Sequence, residues 1–297
     1  MEPDLDVEVL PHEHGLMIKE IIFGRLGLSR GLVRRIRRGG QVSLNGKPAF
    51  ITQRVQAGDR IRITFSDEPT LIQPQPIQLD IVYEDQSLVA INKPAHMAVH
   101  PTATYPDSTL ANGLAYHWQC QGLARKIRLL HRLDRDTSGL ILVAKEPYAY
   151  QQLVKQLRNR SLKRTYLAIV NGRLENQQGV IDQPIGLSGQ GHGLKRAVMA
   201  EGKPARTYYR VLAEYKHGSL LELELATGRT HQIRVHLAWM GHPIVGDQMY
   251  AGLNSAIYRQ ALHAWRLRFN HPRTNQPMEL KAPLPEDMRT VLKAYQQ

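Results

Sequence analysis

The sequence predicts an α+β protein: a mixed, mostly antiparallel sheet with flanking helices, preceded by a smaller α+β module. Three observations carry this reading. The strand patterns are short and irregularly spaced, with neither the strand–helix rhythm of a doubly wound sheet nor an internal repeat. The stretch from Pro69 to Gln78 holds three prolines, three glutamines and no charge, so it should run extended as a linker. Basic charge is concentrated ahead of that stretch: between Pro11 and Thr64 stand 11 Lys and Arg against Glu13, Glu20 and Asp59, a net of +8 out of +13 for the chain of 297 residues.

The elements follow in chain order. A helical pattern runs from Leu16 to Leu26, and a second helix starts at Ser29, whose hydroxyl suits an N-cap. Leu32, Val33 and Ile36 recur there at helical spacing and should face inward, leaving Arg34, Arg35, Arg37 and Arg38 to project. Gly39 and Gly40 end the helix. Two short strands follow, Gln41 to Leu44 and Arg60 to Phe65, with tight turns at Asn45-Gly46 and Ala57-Gly58-Asp59. Past the linker, Ile81 to Tyr83 and Leu88 to Asn92 form a hairpin around Glu84-Asp85-Gln86. Leu140 to Ala144, Tyr166 to Val170 and the alternating Leu221-Glu-Leu-Glu-Leu225 are further strands. Tyr148 to Asn159 and Thr230 to Met240 are amphipathic helices, the latter with Ile233, Leu237 and Met240 on one stripe.

Composition bounds the function. With 42% hydrophobic and 22% charged residues the chain has a globular make-up, which excludes collagen-like, low-complexity and wholly disordered chains. The single cysteine, Cys120, excludes an internal disulfide and a multi-thiolate metal site, which fits a reducing cytoplasm. It stands in an uncharged segment with no cation nearby and reads as a packed thiol. The longest uncharged stretch, Ser108 to Ala124, is rich in polar residues and the first residues are acidic, so neither a membrane span nor a signal peptide is expected. A clustered basic excess without a membrane motif points to nucleic acid.

The densest group of reactive side chains is Leu130-His-Arg-Leu-Asp-Arg-Asp-Thr-Ser-Gly-Leu140, a loop running into an apolar strand. Asp134 and Asp136 stand two apart on one backbone and so share no fixed geometry across a substrate; one of them should act alone. Thr137, Ser138 and Gly139 suit a tight turn. Several other chemistries lack their parts. His231 and His236 are five apart, unlike a helical zinc pair, and the sequence has no phosphate-binding glycine loop, dinucleotide fingerprint or nucleophile elbow.

Two resemblances add to this. The run Leu28-Ser-Arg-Gly-Leu-Val-Arg-Arg-Ile-Arg-Arg-Gly-Gly-Gln-Val-Ser-Leu-Asn-Gly46, with Gly58-Asp59, resembles the S4 RNA-binding module. The resemblance implies that Arg30, Arg34, Arg35 and Arg38 meet RNA phosphates. The run His131-Arg-Leu-Asp-Arg-Asp-Thr-Ser-Gly139 resembles the signature of the RluA-type pseudouridine synthases, which isomerise uridine in RNA. Four more stretches agree in order: Asn92-Lys-Pro94 with His100-Pro101; Lys163 to Gly172; Thr227 to Leu237 running on to Gly241 through Asp247; and Ala261 to Ala264 with His271-Pro272. One departure is Ala95-His96-Met97, where that family often has a glycine, expected to change only a loop at the cleft edge.

The second resemblance implies a reaction that breaks the N1–C1′ bond of uridine and rejoins C5 to C1′, with no cofactor and no metal. It implies that Asp134 is the essential carboxylate. Attack on C1′, addition to the ring and removal of a ribose proton would all start from that carboxylate ionised in a dry pocket. Burial alone would neutralise it, so a cation must oppose burial, and the family pattern places Arg234 there. Tyr166 is implied beside the target base, Arg132 in the gap left by the flipped uridine with His131 accompanying it, and Arg229, His231 and Lys93 in phosphate or loop positioning.

Together these divide the chain into an S4-like module over 12–66, a linker over 67–79 and a catalytic domain over 80–297. The expectation is a cytoplasmic, by default monomeric RNA pseudouridine synthase. Its partner would be RNA, ribosomal first and transfer second, with no membrane. A non-catalytic RNA-binding or ribosome-assembly factor on the same fold is the rival, and a glycoside hydrolase using Asp134 and Asp136 a weaker one.

Overall fold

The computed structural model describes residues 5–66, 69–189, 195–252 and 257–296. The first sheet runs in the order β1 (Leu5–Glu8), β4 (Arg60–Thr64), β2 (Gln41–Leu44) and β3 (Lys47–Pro48), all antiparallel. Its outermost strand, β1, lies ahead of residue 12, where the basic module was expected to start. Helices α1 (Ile18–Phe23) and α2 (Arg30–Gly39) cover one face, and Ile18, Ile21, Ile22, Leu32, Val33, Ile36, Ile61 and Ile63 close a core of their own. Ser29 caps α2, its Oγ accepting the Leu32 N–H at 3.2 Å. Arg30, Arg34 and Arg38 are exposed and Arg35 is half-buried, while the Arg37 side chain lies outside the described residues, as do linker residues 67 and 68.

From 69 to 80 the chain is extended, as its prolines require. It is not a free tether. Asn112 Nδ2 donates to Gln73 O at 2.8 Å and the Gln75 N–H to Asn112 O at 3.1 Å, strapping the segment to α3 (Leu110–Cys120). Gly113 admits it, because a Cβ there would stand 3.0 Å from Leu79. Cys120, expected as a packed thiol, is exposed: the buried residues of α3 are Leu110 to Ala115 and Trp118, and position 120 falls on the other side.

The second sheet has ten strands. Its main path runs β10 (Gln178–Asp182), β13 (Arg206–Glu214), β14 (Gly218–Leu225), β9 (Lys163–Asn171), β15 (Leu262–Asn270), β8 (Ser138–Ala144), β6 (Leu88–Lys93) and β5 (Ile81–Glu84), with β16 (Pro277–Lys281) on β15 and β7 (Arg128–Leu129) on β8. Every pairing is antiparallel except β15 with β8, so the expected mixed, mostly antiparallel sheet is observed. Alternation sorts side chains to its two faces: Val89, Ile91, Ile141 and Val143 enter one core, Leu88, Ala90, Leu140 and Leu142 the other. Fully burying each of the Val, Leu and Ile side chains among these contributes about 1.5–3 kcal/mol. Leu221 and Leu223 point into the first core, while Glu222 between them pairs with Arg210 and Arg266.

Helix α3 lies on the first core, α4 (Pro147–Arg158) and α6 (Glu286–Gln296) flank the sheet, and the small pair β11 (Ile185–Leu187) and β12 (Arg196–Val198) stands apart. No helix among the described residues is long and apolar enough to cross a membrane. Helix α5 (Gln232–Trp239) begins two residues later than its pattern suggests, because His231 takes a left-handed φ of 58°. It is also buried all round from Gln232 to Leu237 rather than along one stripe. The two sheets meet through α4. Gln151 accepts the Ser29 N–H at 2.6 Å and donates to Gly27 O at 2.9 Å, while Tyr148 packs against the smaller core.

Candidate active site

Asp134 sits in the loop between β7 and β8, in a turn closed by the Thr137 N–H donating to Asp134 O at 3.1 Å. The loop must pass close to β15, since the parallel pairing sets Ser138 and Gly139 against His263 and Ala264. At Gly139, φ is 109° and a Cβ would stand 2.3 Å from Ala264 O, so glycine is required.

Four side chains hold the loop from behind. Lys93 is fully buried and donates to the carbonyls of Pro94 at 2.6 Å, Met97 at 2.9 Å and Arg135 at 2.9 Å. Burial pulls its ammonium down to about 7, and the Asp136 and Asp134 carboxylates act against that. Arg259 donates to Asp136 O at 3.3 Å and is itself gripped by both oxygens of Asp287. Gln260 donates to Thr137 Oγ1 at 3.0 Å, and Ser138 Oγ lies 2.9 Å from His263 Nδ1. An open cleft of about 870 Å³ borders this back face, lined by Lys93, His96, Arg259 and the segment 283–287 that leads into α6; Asp134, Tyr166 and Arg234 do not line it.

On the front, Arg234 Nη1 donates to Asp134 Oδ2 at 3.1 Å. The guanidinium is bracketed on its other edge by Asp247, which accepts from Nε at 2.7 Å and from Nη2 at 2.9 Å. Asp247 keeps 1% side-chain exposure, Arg234 8% and Asp134 27%, so the charge is buried at the anchor and opens outward at the loop. Burial works against the Arg234 charge, but the two carboxylates more than offset it and raise its pKa. His231 Nε2 stands 3.8 Å from Asp134 Oδ2. Tyr166 on β9 is buried, which pushes its hydroxyl up; the Arg164 guanidinium acts against this. Asp134 and Arg234, which the resemblance set side by side, are in contact. The carboxylate, expected in a dry pocket, is instead 27% exposed, while the Arg234–Asp247 pair behind it is buried.

The residues expected at RNA separate into two groups. Arg132 and Arg229 are exposed, Arg229 also donating to Pro204 O at 3.0 Å. Lys93 and His131 are buried and face the protein. All three ammonium hydrogens of Lys93 are taken by carbonyls, and His131 lies under the loop with its Nε2 accepting the Leu142 N–H at 3.4 Å. Burial pulls His131 down to about 3, so it is neutral. The departure at His96 does reach the loop: its Nδ1–H donates to Asp136 Oδ1 at 2.9 Å, from a backbone with φ of 64° that a glycine would adopt freely.

Sequence reasoning missed Asp247, Tyr250, Arg259, Gln260 and Asp287 as parts of the site. Asp247 did end one of the matching stretches, and an acid thirteen residues beyond an inward arginine is a signal that charge balance could have used.

Comparison with known proteins places these residues in context. A family model described as RNA pseudouridylate synthase matches residues 87–239. The uncharacterized RNA pseudouridine synthase YhcT of Bacillus subtilis is 39% identical over 98% of this chain and 97% of its own. Ribosomal large subunit pseudouridine synthase D of Nitrosomonas europaea is 42% identical over 85% of this chain and 76% of its own. Among solved structures, human RNA pseudouridylate synthase domain containing 4 aligns with a TM-score of 0.60 at 27% identity, over 72% of this chain and 91% of that one.

Proposed function

The chain belongs to the RNA pseudouridylate synthase family, and from that premise we propose that it isomerises uridine in ribosomal RNA with Asp134 as the essential carboxylate. The observation that carries the reading is the Arg234 Nη1 to Asp134 Oδ2 contact of 3.1 Å, built on a guanidinium that Asp247 already holds in place. A carboxylate so placed meets the flipped nucleotide as an anion whose counter-charge is already oriented.

In the reaction the N1–C1′ bond breaks, C5 bonds to C1′, the C5 proton leaves and N1 regains a proton. No atom is gained or lost overall. Asp134 faces the sugar and base, and the target uridine covers its exposed part. Tyr166, neutral because burial raises its hydroxyl, lies beside the base and relays the C5 proton. Arg132, exposed on the same loop, fills the space that the flipped nucleotide vacates, a step that costs a few kcal/mol. The smaller basic module acts as an S4-like clamp, its Arg30, Arg34, Arg35 and Arg38 meeting phosphates in the cytoplasm; a relative named for the large ribosomal subunit supports ribosomal RNA as the substrate.

Asp134→Asn should abolish tritium release from RNA labelled at uridine C5 while RNA binding persists. Turnover near wild type would overturn the assignment of the carboxylate. Pseudouridine mapping of total RNA from cells with and without the gene should show a site lost from large-subunit ribosomal RNA, and loss from another RNA class would overturn the target.

A further inference from the structure

Tyr250 has no role in the mechanism above, yet it touches three parts of the site. It is 7% exposed, in a small apolar cluster with Ile185, Ala205 and Val235. The Arg234 guanidinium lies 5.1 Å from the centre of its ring, and the His231 ring meets it edge-on at 5.9 Å. Its hydroxyl has two polar neighbours among the described residues: the backbone N–H of Arg196 at 3.0 Å and His231 Nδ1 at 3.0 Å.

Counting hydrogens settles how these bonds run. The Arg196 N–H can only donate, so the tyrosine oxygen accepts it. The hydroxyl has one hydrogen of its own. If His231 Nδ1 carried a hydrogen and donated too, the tyrosine hydrogen would be left without an acceptor among the described residues, in a side chain that is itself buried. If Nδ1 is bare, it accepts that hydrogen, and the bonds of the hydroxyl are complete.

We infer that Tyr250 donates to His231 Nδ1 and so locks His231 as the neutral Nε2–H tautomer, with that N–H turned to Asp134 Oδ2. The two are then positioning residues for the carboxylate, a role that rests on the proposed reading of Asp134. The 3.8 Å separation leaves the N–H in place to tighten on the carboxylate once substrate displaces solvent. Two further observations agree. Residue 231 holds a left-handed φ of 58°, a conformation in which His is enriched among non-glycine residues, so its ring direction is set by backbone and hydroxyl together. Burial pulls His231 down; the Asp134 and Asp247 carboxylates act the other way and the Arg234 and Arg196 guanidiniums reinforce burial, which leaves the ring neutral. Because the donor to Tyr250 is the first residue of β12, seating of the β11–β12 hairpin is tied to the same proton arrangement.

The test uses the full chain with ¹⁵N-labelled histidine, the His231 signal being assigned by its loss in His231→Asn, since Asn tolerates the left-handed backbone. The wild type should show His231 with Nε2 protonated and Nδ1 bare, and Tyr250→Phe should show a mixture of tautomers. On unmodified large-subunit ribosomal RNA made by transcription, Tyr250→Phe should lower kcat about tenfold at unchanged KM, but less than about twofold in the His231→Asn background. A wild-type His231 protonated at Nδ1, or an undiminished loss in the His231→Asn background, would overturn the inference. Should Asp134→Asn stay active, the reading of the carboxylate falls, while the tautomer spectrum still decides the Tyr250–His231 bond.

Discussion

Replacing Asp247 by Asn separates the anchoring carboxylate of this site from Asp134, the one proposed to react. Asp247 accepts two charge-assisted hydrogen bonds from Arg234, at 2.7 and 2.9 Å, with 1% side-chain exposure. Asn keeps one oxygen and turns an NH₂ toward a guanidinium N–H, so one bond becomes a clash of donors and a buried charge loses its nearest counter-charge. Removing one partner of a buried pair costs about 3–5 kcal/mol, a large part of a total stability of about 5–15 kcal/mol. At roughly 2–4 °C per kcal/mol for a domain of this size, Tm should fall by about 10 °C. Asp134→Asn is the control. That side chain is 27% exposed, makes a single bond to Arg234 and leaves the Arg234–Asp247 pair intact, so its cost should stay within about 1 kcal/mol. Thermal unfolding of the two variants beside wild type decides the matter, with turnover measured in parallel: both should lose activity, Asp247→Asn by about a hundredfold through a displaced guanidinium. Equal melting of the two variants, or an Asp247→Asn protein as stable as wild type, would refute the division of labour.

Two further outcomes follow. Burial pulls His131 down to about 3 and His263 to about 4, so both stay neutral in the fold while the unfolded chain takes up their protons below about 6.5; stability is therefore full above that pH and declines as pH drops toward 4. The urea midpoint should be lower at pH 5 than at pH 7.5, His131→Gln should shrink that difference, and equal midpoints would contradict the account. Changing Arg34, Arg35 and Arg38 together to Gln should weaken RNA binding and flatten its logarithmic salt dependence by about 0.9 per lost phosphate contact, with single-turnover isomerisation unchanged; an unaltered slope in fluorescence anisotropy would remove the RNA from α2.

How much of this was legible follows from the kind of signal each residue leaves. Local signals survive in sequence: the Ser29 cap, the Asn45-Gly46 turn and the alternation from Leu221 to Leu225 each depend on a few neighbours, and each is where its pattern placed it. The Asp134–Arg234 contact joins residues a hundred positions apart, and it was reached through resemblance, since no spacing rule brings them together. What stayed hidden depends on sequence-distant packing. Arg259 and Gln260 belong to no local motif; the parallel pairing of β15 with β8 is what carries them behind the Asp134 loop. Lys93 was expected at phosphate or in loop positioning, and the structure sets it in the second place: the loop folds back so that three carbonyls converge on its ammonium, a convergence no local spacing announces.

The pairing of one guanidinium with two carboxylates has a chemical logic. Any route that uses Asp134, whether it bonds to carbon or takes a proton, consumes the negative charge facing Arg234. A cation with that aspartate as its sole partner would then be left uncompensated at 8% exposure, and the cost of an unpaired buried charge would be added to the barrier. Asp247 removes that cost, because its two bonds keep the guanidinium neutralised and fixed in direction whatever the state of Asp134. The site is thus organised before substrate arrives and stays organised as the charge moves, which is where electrostatic stabilisation is most effective. It follows that Arg234→Lys should not rescue function: an ammonium carries the charge but lacks the planar fork needed to hold Asp247 with one edge and reach Asp134 with the other.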